Sequence, residues 1–156
     1  MKDVFSRFSP FVREYIYSHG WEELREIQTK AAEVIFETDK NLLLTTPTAS
    51  GKTEAAFFPI LTRILEQPSE GISVLYIAPL KSLINDQFLR MEDILEESGV
   101  PVFHWHGDVA SSHKKQLLDT PRGILQITPE SLESMLLNRS NDAVRLYHAR
   151  ELGTSQ

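Results

Sequence analysis

Mainly apolar segments that alternate with helical patterns are the sequence feature that most restricts the fold. The four segments are 41–45 (NLLLT), 72–78 (ISVLYIA), 100–106 (VPVFHWH) and 123–128 (GILQIT). Continuous apolar runs of this length are typical of strands buried on both faces of a sheet. Because an amphipathic helix follows most of them, we predict an α/β fold with a mostly parallel sheet between two layers of helices.

Helix signals support this order. Ser9 and Pro10 are an N-cap followed by a proline at the first helical position, which predicts a helix that Gly20 ends. The remaining helices are predicted over the stretch before residue 38, over 52–66, over 80–98 and over 129–137. The 156 residues suit a single domain. We divide it into a helical lead-in (1–38), an α/β core (39–137) and an atypical tail (138–156).

Composition excludes several classes of protein. The chain has no cysteine, which rules out disulfides and thiolate metal sites. It shows no apolar run of membrane-spanning length and no signal-peptide core at its start, so we expect a cytoplasmic protein without a membrane partner. The net charge of −6 argues against a large basic surface for nucleic acid. It leaves room for a protein that holds a nucleic-acid backbone through hydroxyls, amides and helix N-termini.

A loop of small residues joins the first predicted strand to a helix. Backbone N–H groups and the dipole at a helix start favour a phosphate there, and Gly51 lets the backbone approach it closely. Lys52 can reach the β- and γ-phosphates, and the Thr53 hydroxyl can ligate Mg²⁺. These two are therefore the candidate catalytic residues, with Thr53 the candidate metal ligand. The candidate nucleotide-binding residues of the loop are Thr46, Pro47, Thr48, Ala49, Ser50, Gly51, Lys52, Thr53 and Glu54.

Two other interpretations of these patterns are weaker. A Gly-Lys-Thr tripeptide can occur by chance in a surface turn, but the strand, the small-residue loop and the helix together favour a phosphate site. His104 and His106 lie on one face of a predicted strand and could form half of a metal site. Packing or backbone recognition is the favoured interpretation, because no cysteine is present and a third ligand would have to come from His113 or an acid.

Five segments occur in a familiar order: GWEELREIQ (20–28), ASGKT (49–53), APLKSLINDQ (78–87), WHGD (105–108) and ITPESL (127–132). Over roughly residues 20–137 the chain resembles the N-terminal RecA-like domain of superfamily 2 helicases of the DEAD/DEAH-box kind. Its details look closest to the large-helicase-related (Lhr) group. These helicases commonly carry a small residue other than glycine where Thr46 stands. The resemblance implies a phosphate-loop NTPase fold, with ATP and Mg²⁺ as cofactors.

The resemblance also assigns two sets of binding residues. Gln28 corresponds to the glutamine that recognises adenine, and an amide can make the paired donor and acceptor contacts required. The segments after the loop correspond to motifs that grip a nucleic-acid backbone, without reading its sequence. The candidate nucleic-acid-binding residues are Pro79, Lys81, Ser82, Asn85, Gly107, Asp108, Thr128, Pro129, Glu130 and Ser131.

One motif of the family has no counterpart. The acidic Asp-Glu-x-His or Asp-Glu-Ala-Asp motif would follow the ITPESL helix, but the sequence there reads NRSNDAVRLYHARELGTSQ. We therefore expect a sheet that is incomplete on its C-terminal side, and a fragment that binds ATP without hydrolysing it on its own. An uncovered sheet surface would favour self-association. The alternatives are a non-catalytic remnant that acts as a binding module, and an unrelated phosphate-loop NTPase or kinase.

Overall fold

The computed structural model describes residues 3–47, 50–79 and 86–147. The chain divides into two compact units, Met1–Gln67 and Pro68–Gln156. The described part of the first unit contains the helices α1 (Val4–Arg7), α2 (Pro10–Ser18), α3 (Glu26–Glu37) and α4 (Lys52–Glu66). The second contains β1 (Ile72–Ile77), α5 (Asp86–Ser98), β2 (Val102–Trp105), α6 (Ser111–Asp119), β3 (Gly123–Ile127), α7 (Pro129–Asn138) and α8 (Ser140–Tyr147).

Helix α2 begins where the sequence predicts. The Ser9 hydroxyl accepts a hydrogen bond from the Val12 N–H at 3.3 Å, and Pro10 occupies the first turn. The Ser9 N–H in turn donates to the Thr62 hydroxyl of α4 at 3.1 Å, in a buried position. This pair satisfies two polar groups inside an apolar unit and ties the start of α2 to α4.

Phe58 is the centre of an aromatic cluster in the first unit. Its fully buried ring lies 6.2 Å from Phe8, 6.3 Å from Tyr15 and 5.6 Å from Trp21, measured between ring centroids. The contacts are edge-on or tilted, which is the arrangement that aromatic pairs prefer. Pro59, predicted to lie inside a helix, is buried in α4.

A three-stranded parallel sheet organises the second unit. The strand order is β1-β3-β2, so β3 pairs with a neighbour on each side, and every residue of β3 is buried. Leu125 of β3 is in register with Leu75 of β1 and with Phe103 of β2. One face of the sheet carries an apolar cluster that includes side chains of α6, α7 and α8. Its buried members are Trp105, Leu117, Leu125, Ile127, Met135, Ala143 and Leu146.

The predicted α/β class and the parallel sheet are confirmed, whereas the predicted strand at 41–45 is wrong. Residues 41–47 form neither helix nor strand, and Leu43 is 84% exposed. An apolar run becomes a buried strand only where another strand supplies hydrogen-bond partners, and no strand among the described residues pairs with this one. The sequence patterns also did not predict α1, α6 and α8. The first part of the helix predicted from residue 80 lies outside the described residues.

No helix within the described ranges has the length and apolar character needed to cross a membrane.

Substitution of Gly123, at the start of β3, tests how closely the chain packs at this end of the sheet. Its φ of +72° belongs to the left-handed region, and a Cβ there would lie 2.2 Å from the Pro101 carbonyl oxygen. That oxygen cannot easily retreat, because it accepts a hydrogen bond from the Ile124 N–H at 2.9 Å. We expect Gly123→Ala to lower the free energy of unfolding by about 3 kcal/mol or more, measured by urea denaturation.

Gly99→Ala is the matched control. Gly99 has nearly the same φ, +71°, but a Cβ there would meet nothing within 4 Å. Its substitution should cost only the backbone strain, about 1–2 kcal/mol. Equal losses in the two variants would show that the close approach to Pro101 is unimportant.

Candidate nucleotide and nucleic-acid sites

The lysine of the predicted phosphate loop turns back over the loop. Lys52 is the first residue of α4, and its ammonium donates to the Thr46 carbonyl at 2.6 Å and to the Pro47 carbonyl at 2.8 Å. The Thr46 hydroxyl is in hydrogen-bond contact with the Ser50 hydroxyl. Thr46 and Pro47 therefore hold the lysine ammonium at the N-terminus of a fifteen-residue helix, which is where an anion is favoured.

Gly51 and Gln28 lie against each other beside this loop. Gly51 adopts φ +83° as the N-cap of α4, and a Cβ there would lie 2.7 Å from Gln28 Nε2. The position thus requires glycine both for its backbone conformation and for the space that the amide occupies. Gln28 is 2% exposed, and its Oε1 accepts a hydrogen bond from the Arg25 N–H at 2.9 Å.

The predicted nucleotide-binding residues are in part brought together. Gln28, Thr46, Pro47, Ser50, Gly51 and Lys52 lie at the loop, and Thr53 and Glu54 continue into the first turn of α4. Thr48 and Ala49 lie outside the described residues. Recognition of adenine by Gln28 stays a prediction. Sequence patterns did not single out Arg25, although its Cδ lies 3.6 Å from the position of a Gly51 Cβ.

In the second unit, polar residues follow β2 and β3 at the carboxyl end of the sheet, where ligands bind in open α/β sheets. Thr128 caps α7, because its hydroxyl accepts a hydrogen bond from the Ser131 N–H at 3.4 Å. It also donates to the Ser131 hydroxyl at 2.9 Å. His106 and Gly107 follow β2 directly, so the ends of the two strands supply one wall of a shared cavity.

That cavity has a volume of about 840 Å³ and contains four of the ten predicted nucleic-acid residues, Gly107, Thr128, Glu130 and Ser131. Asp108 instead lines a separate cavity with His104, His106 and His113. Pro129 is the first residue of α7, and Pro79 lies exposed just after β1. Lys81, Ser82 and Asn85 lie outside the described residues.

Sequence reasoning missed the basic residues of the larger cavity. Lys114 and Lys115 of α6, Arg139 at the end of α7 and Arg145 of α8 all line it. The adjacent lysines were the only available signal, since the two arginines are distant in sequence. Across residues 3–47, 50–79 and 86–147 no group of three or more His, Asp or Glu side chains has metal-binding geometry.

Three features place the protein in a class: β3 is the central strand, the strands pair in parallel, and a lysine-bearing loop precedes a helix. This is the class of phosphate-loop α/β proteins with a RecA-like fold. Comparison with known proteins specifies the family. The sequence profile described as "DEAD/DEAH box helicase" matches residues 25–151. The chain belongs to the DEAD/DEAH box helicase family, which confirms the resemblance to superfamily 2 helicases and removes the alternative of an unrelated kinase.

Individual relatives agree with this assignment. "Lhr helicase/probable uracil glycosylase" of Mycolicibacterium smegmatis is 31% identical over 157 residues, which cover 91% of this chain and 10% of that protein. "ATP-dependent helicase Lhr-Core" of Sulfolobus acidocaldarius is 30% identical over 150 residues, covering 88% of this chain and 17% of the relative. The chain therefore spans a small part of the length of the curated relatives that it matches.

Solved structures show the same fold. The crystal structure of the DUF1998 helicase MrfA superimposes with a TM-score of 0.74 and 25% identity, covering 89% of this chain and 22% of MrfA. MrfA bound to DNA and AMPPNP gives a TM-score of 0.74 at 24% identity, over 90% of this chain and 19% of MrfA.

The contact between Gly51 and Gln28 can be measured by a double-mutant cycle. Gly51→Ala should destabilise the protein through its positive φ and through the collision with the Gln28 amide. In a Gln28→Ala background the collision is gone and only the strain remains. We expect the loss of unfolding free energy on Gly51→Ala to be smaller in that background, with a coupling of about 0.5–3 kcal/mol.

Urea denaturation of the four proteins gives the coupling. Strict additivity would mean that the Gln28 amide does not press on the loop. Thr29→Ala is a suitable control background, because Thr29 neighbours Gln28 in sequence but is absent from the surroundings of Gly51.

Proposed function

We propose that this chain is the ATP-binding and nucleic-acid-binding part of a helicase motor, and that it does not hydrolyse ATP by itself. The observation that carries the proposal is the position of Lys52. Its ammonium lies over the loop at the N-terminus of α4, held by carbonyl oxygens that phosphate oxygens could replace. The binding of DNA and AMPPNP by MrfA supports the same combination of ligands here.

The residues at the loop fit a nucleotide with Mg²⁺. Gly51 adopts the positive φ from which α4 starts, and Lys52 supplies a cation at the same helix N-terminus. Thr53 would ligate the metal, which usually takes only one or two protein oxygens and otherwise keeps water and phosphate ligands. Mg²⁺ would neutralise charge on the phosphates, while Lys52 and the loop amides would hold them in place.

The nucleic-acid strand would lie at the carboxyl ends of β2 and β3. Gly107 allows close approach of a backbone, and the Thr128 and Ser131 hydroxyls offer hydrogen bonds within the same cavity. Such contacts position a strand without reading its bases, as a motor that moves along many sequences requires. Ser131 and Glu130 belong to the first turn of α7, whose N-terminus favours an anion.

Hydrolysis by this chain alone is not expected, because no Asp-Glu dipeptide occurs anywhere in the 156 residues. An acidic pair would hold Mg²⁺ and orient the attacking water in the family's mechanism. Binding and hydrolysis are therefore separable properties in this chain.

Lys52→Ala tests the nucleotide site. A hydrogen bond to a charged group contributes about 1.5–3 kcal/mol, so the affinity for ATP–Mg²⁺ should fall by roughly 10- to 150-fold, measured by isothermal titration calorimetry. Lys40→Ala is the matched control, since Lys40 is an exposed lysine of the same unit outside the loop. Unchanged affinity in Lys52→Ala would refute the site. ATP hydrolysis by the wild-type chain above the Lys52→Ala level, in a single-turnover assay, would refute the proposed separation.

Self-association through the sheet edge is a second part of the proposal. β1 lies at one edge of the described sheet, its six residues ISVLYI carry no charge, and Ile77 is 49% exposed. Uncharged edge strands offer unpaired N–H and C=O groups to another chain. Sedimentation velocity should show dimers that Ile77→Lys weakens. Val144→Lys, at a similarly exposed position in α8, should not weaken them. A monomer at all concentrations would refute this part.

A further inference from the structure

The cavity at the carboxyl ends of β2 and β3 carries basic side chains that the motif residues do not account for. We call Lys114, Lys115, Arg139 and Arg145 the cationic wall. Within the lining these four face only two carboxylates, Asp119 and Glu130. A local excess of positive charge in a chain with a net charge of −6 is a specific feature of this surface, because the average surface is acidic.

Most of the cationic wall is available to a ligand. Lys115 and Arg145 are exposed, and neither has an ion-pair partner among the described residues. Within the described ranges, the one ion pair of Arg139 is with Asp142, three positions away, at an N–O distance of 3.9 Å. A partly exposed pair of that length contributes little and can exchange for a ligand.

Lys114 differs from the other three because it is held against an aromatic ring. Its ammonium lies 5.6 Å from the centroid of the buried Trp105 ring, in cation–π contact. This contact fixes a positive charge beside the end of β2, and Trp105 belongs to the apolar cluster of the unit. The cationic wall is therefore anchored to the core at one point, and its other members can adjust.

Neutral donors complete the surroundings of the cationic wall. Ser111 opens α6 and lines the cavity, and its N-cap residue, Ala110, makes no side-chain cap. The Thr128 and Ser131 hydroxyls line the same cavity, at the end of β3 and in the first turn of α7. Cationic and neutral hydrogen-bond donors around one cavity are the groups that bind phosphodiester oxygens.

We propose that the cationic wall binds backbone phosphates of a single nucleic-acid strand, so that α6 and α8 extend the strand interface beyond the motif residues. This inference rests on the proposed function of the same cavity. The spread of the cations favours a strand with several phosphates over one small anion, because the four side chains come from three separate helices. A phosphate ion would reach only part of the cationic wall.

The test is the salt dependence of binding to a labelled single strand. The probes are oligothymidylate and oligouridylate of roughly 16 nucleotides, followed by fluorescence anisotropy from about 50 to about 200 mM KCl. Lys115→Ala/Arg145→Ala should reduce the slope of log K against log salt by about 1.4, at about 0.7 per lost contact. The ratio of the wild-type binding constant to that of the variant should then be about sevenfold larger at about 50 mM KCl than at about 200 mM KCl.

The control variant is Lys40→Ala/Arg122→Ala. It removes the same charge from two exposed positions that do not line the cavity, so its slope should match that of the wild type. Lys115 and Arg145 are themselves exposed, and circular dichroism melting should show that both double variants fold as the wild type does.

The outcomes separate the inference from the function on which it rests. If the wild type binds the oligonucleotides and Lys115→Ala/Arg145→Ala binds with the same slope, the cationic wall is not part of the interface, but the proposed function stands. If the wild type binds neither oligonucleotide, both are refuted. If only the ³¹P line broadening of inorganic phosphate depends on the two residues, the cavity is a small-anion site and the strand proposal is overturned.

Discussion

The parallel pairing of β3 with both of its neighbours determines where polar chemistry can lie in the second unit. Parallel strands end at the same edge of their sheet, so Trp105 and Ile127, which are in register, bring the residues that follow them into one place. The tight approach of Gly123 to Pro101 fixes the other end of β3. Helices α6, α7 and α8 line the larger cavity, and each of them also contributes a buried side chain to the apolar cluster on one face of the sheet.

The first unit depends on a different constraint, the fit between a buried amide and a glycine. Gln28 holds the start of α3 through the Arg25 N–H and fills the space above Gly51 at the start of α4. A single side chain thus links two helix N-termini. The residue expected to recognise the base is also part of the support of the phosphate loop, so replacing it would alter both the shape of the loop and any contact to adenine.

Much of the architecture could be predicted from the sequence, because it depends on local signals. The apolar runs around Leu75, Phe103 and Leu125 are strands, and the caps at Ser9 and Thr128 start helices where expected. Strand formation at 41–45 could not be judged in this way, since it depends on a partner strand. Helix α7 could be predicted from its Thr128–Pro129 start although it buries only Met135, whereas α6 begins at Ala110 without a side-chain cap. The cationic wall combines residues about thirty positions apart, which only the packing of α6 and α8 brings together.

The hydrogen bonds that Lys52 makes within the loop have a consequence for ligand selection. Two carbonyl oxygens already accept from its ammonium, so an incoming phosphate replaces existing partners instead of satisfying a bare cation. A ligand that offers a single oxygen gains little by that exchange. A chain of phosphates, which presents several oxygens to the ammonium and to the helix N-terminus at once, gains more. In the function proposed above, the loop's own carbonyls would therefore compete with phosphate for Lys52, and nucleotides with more phosphates would be favoured.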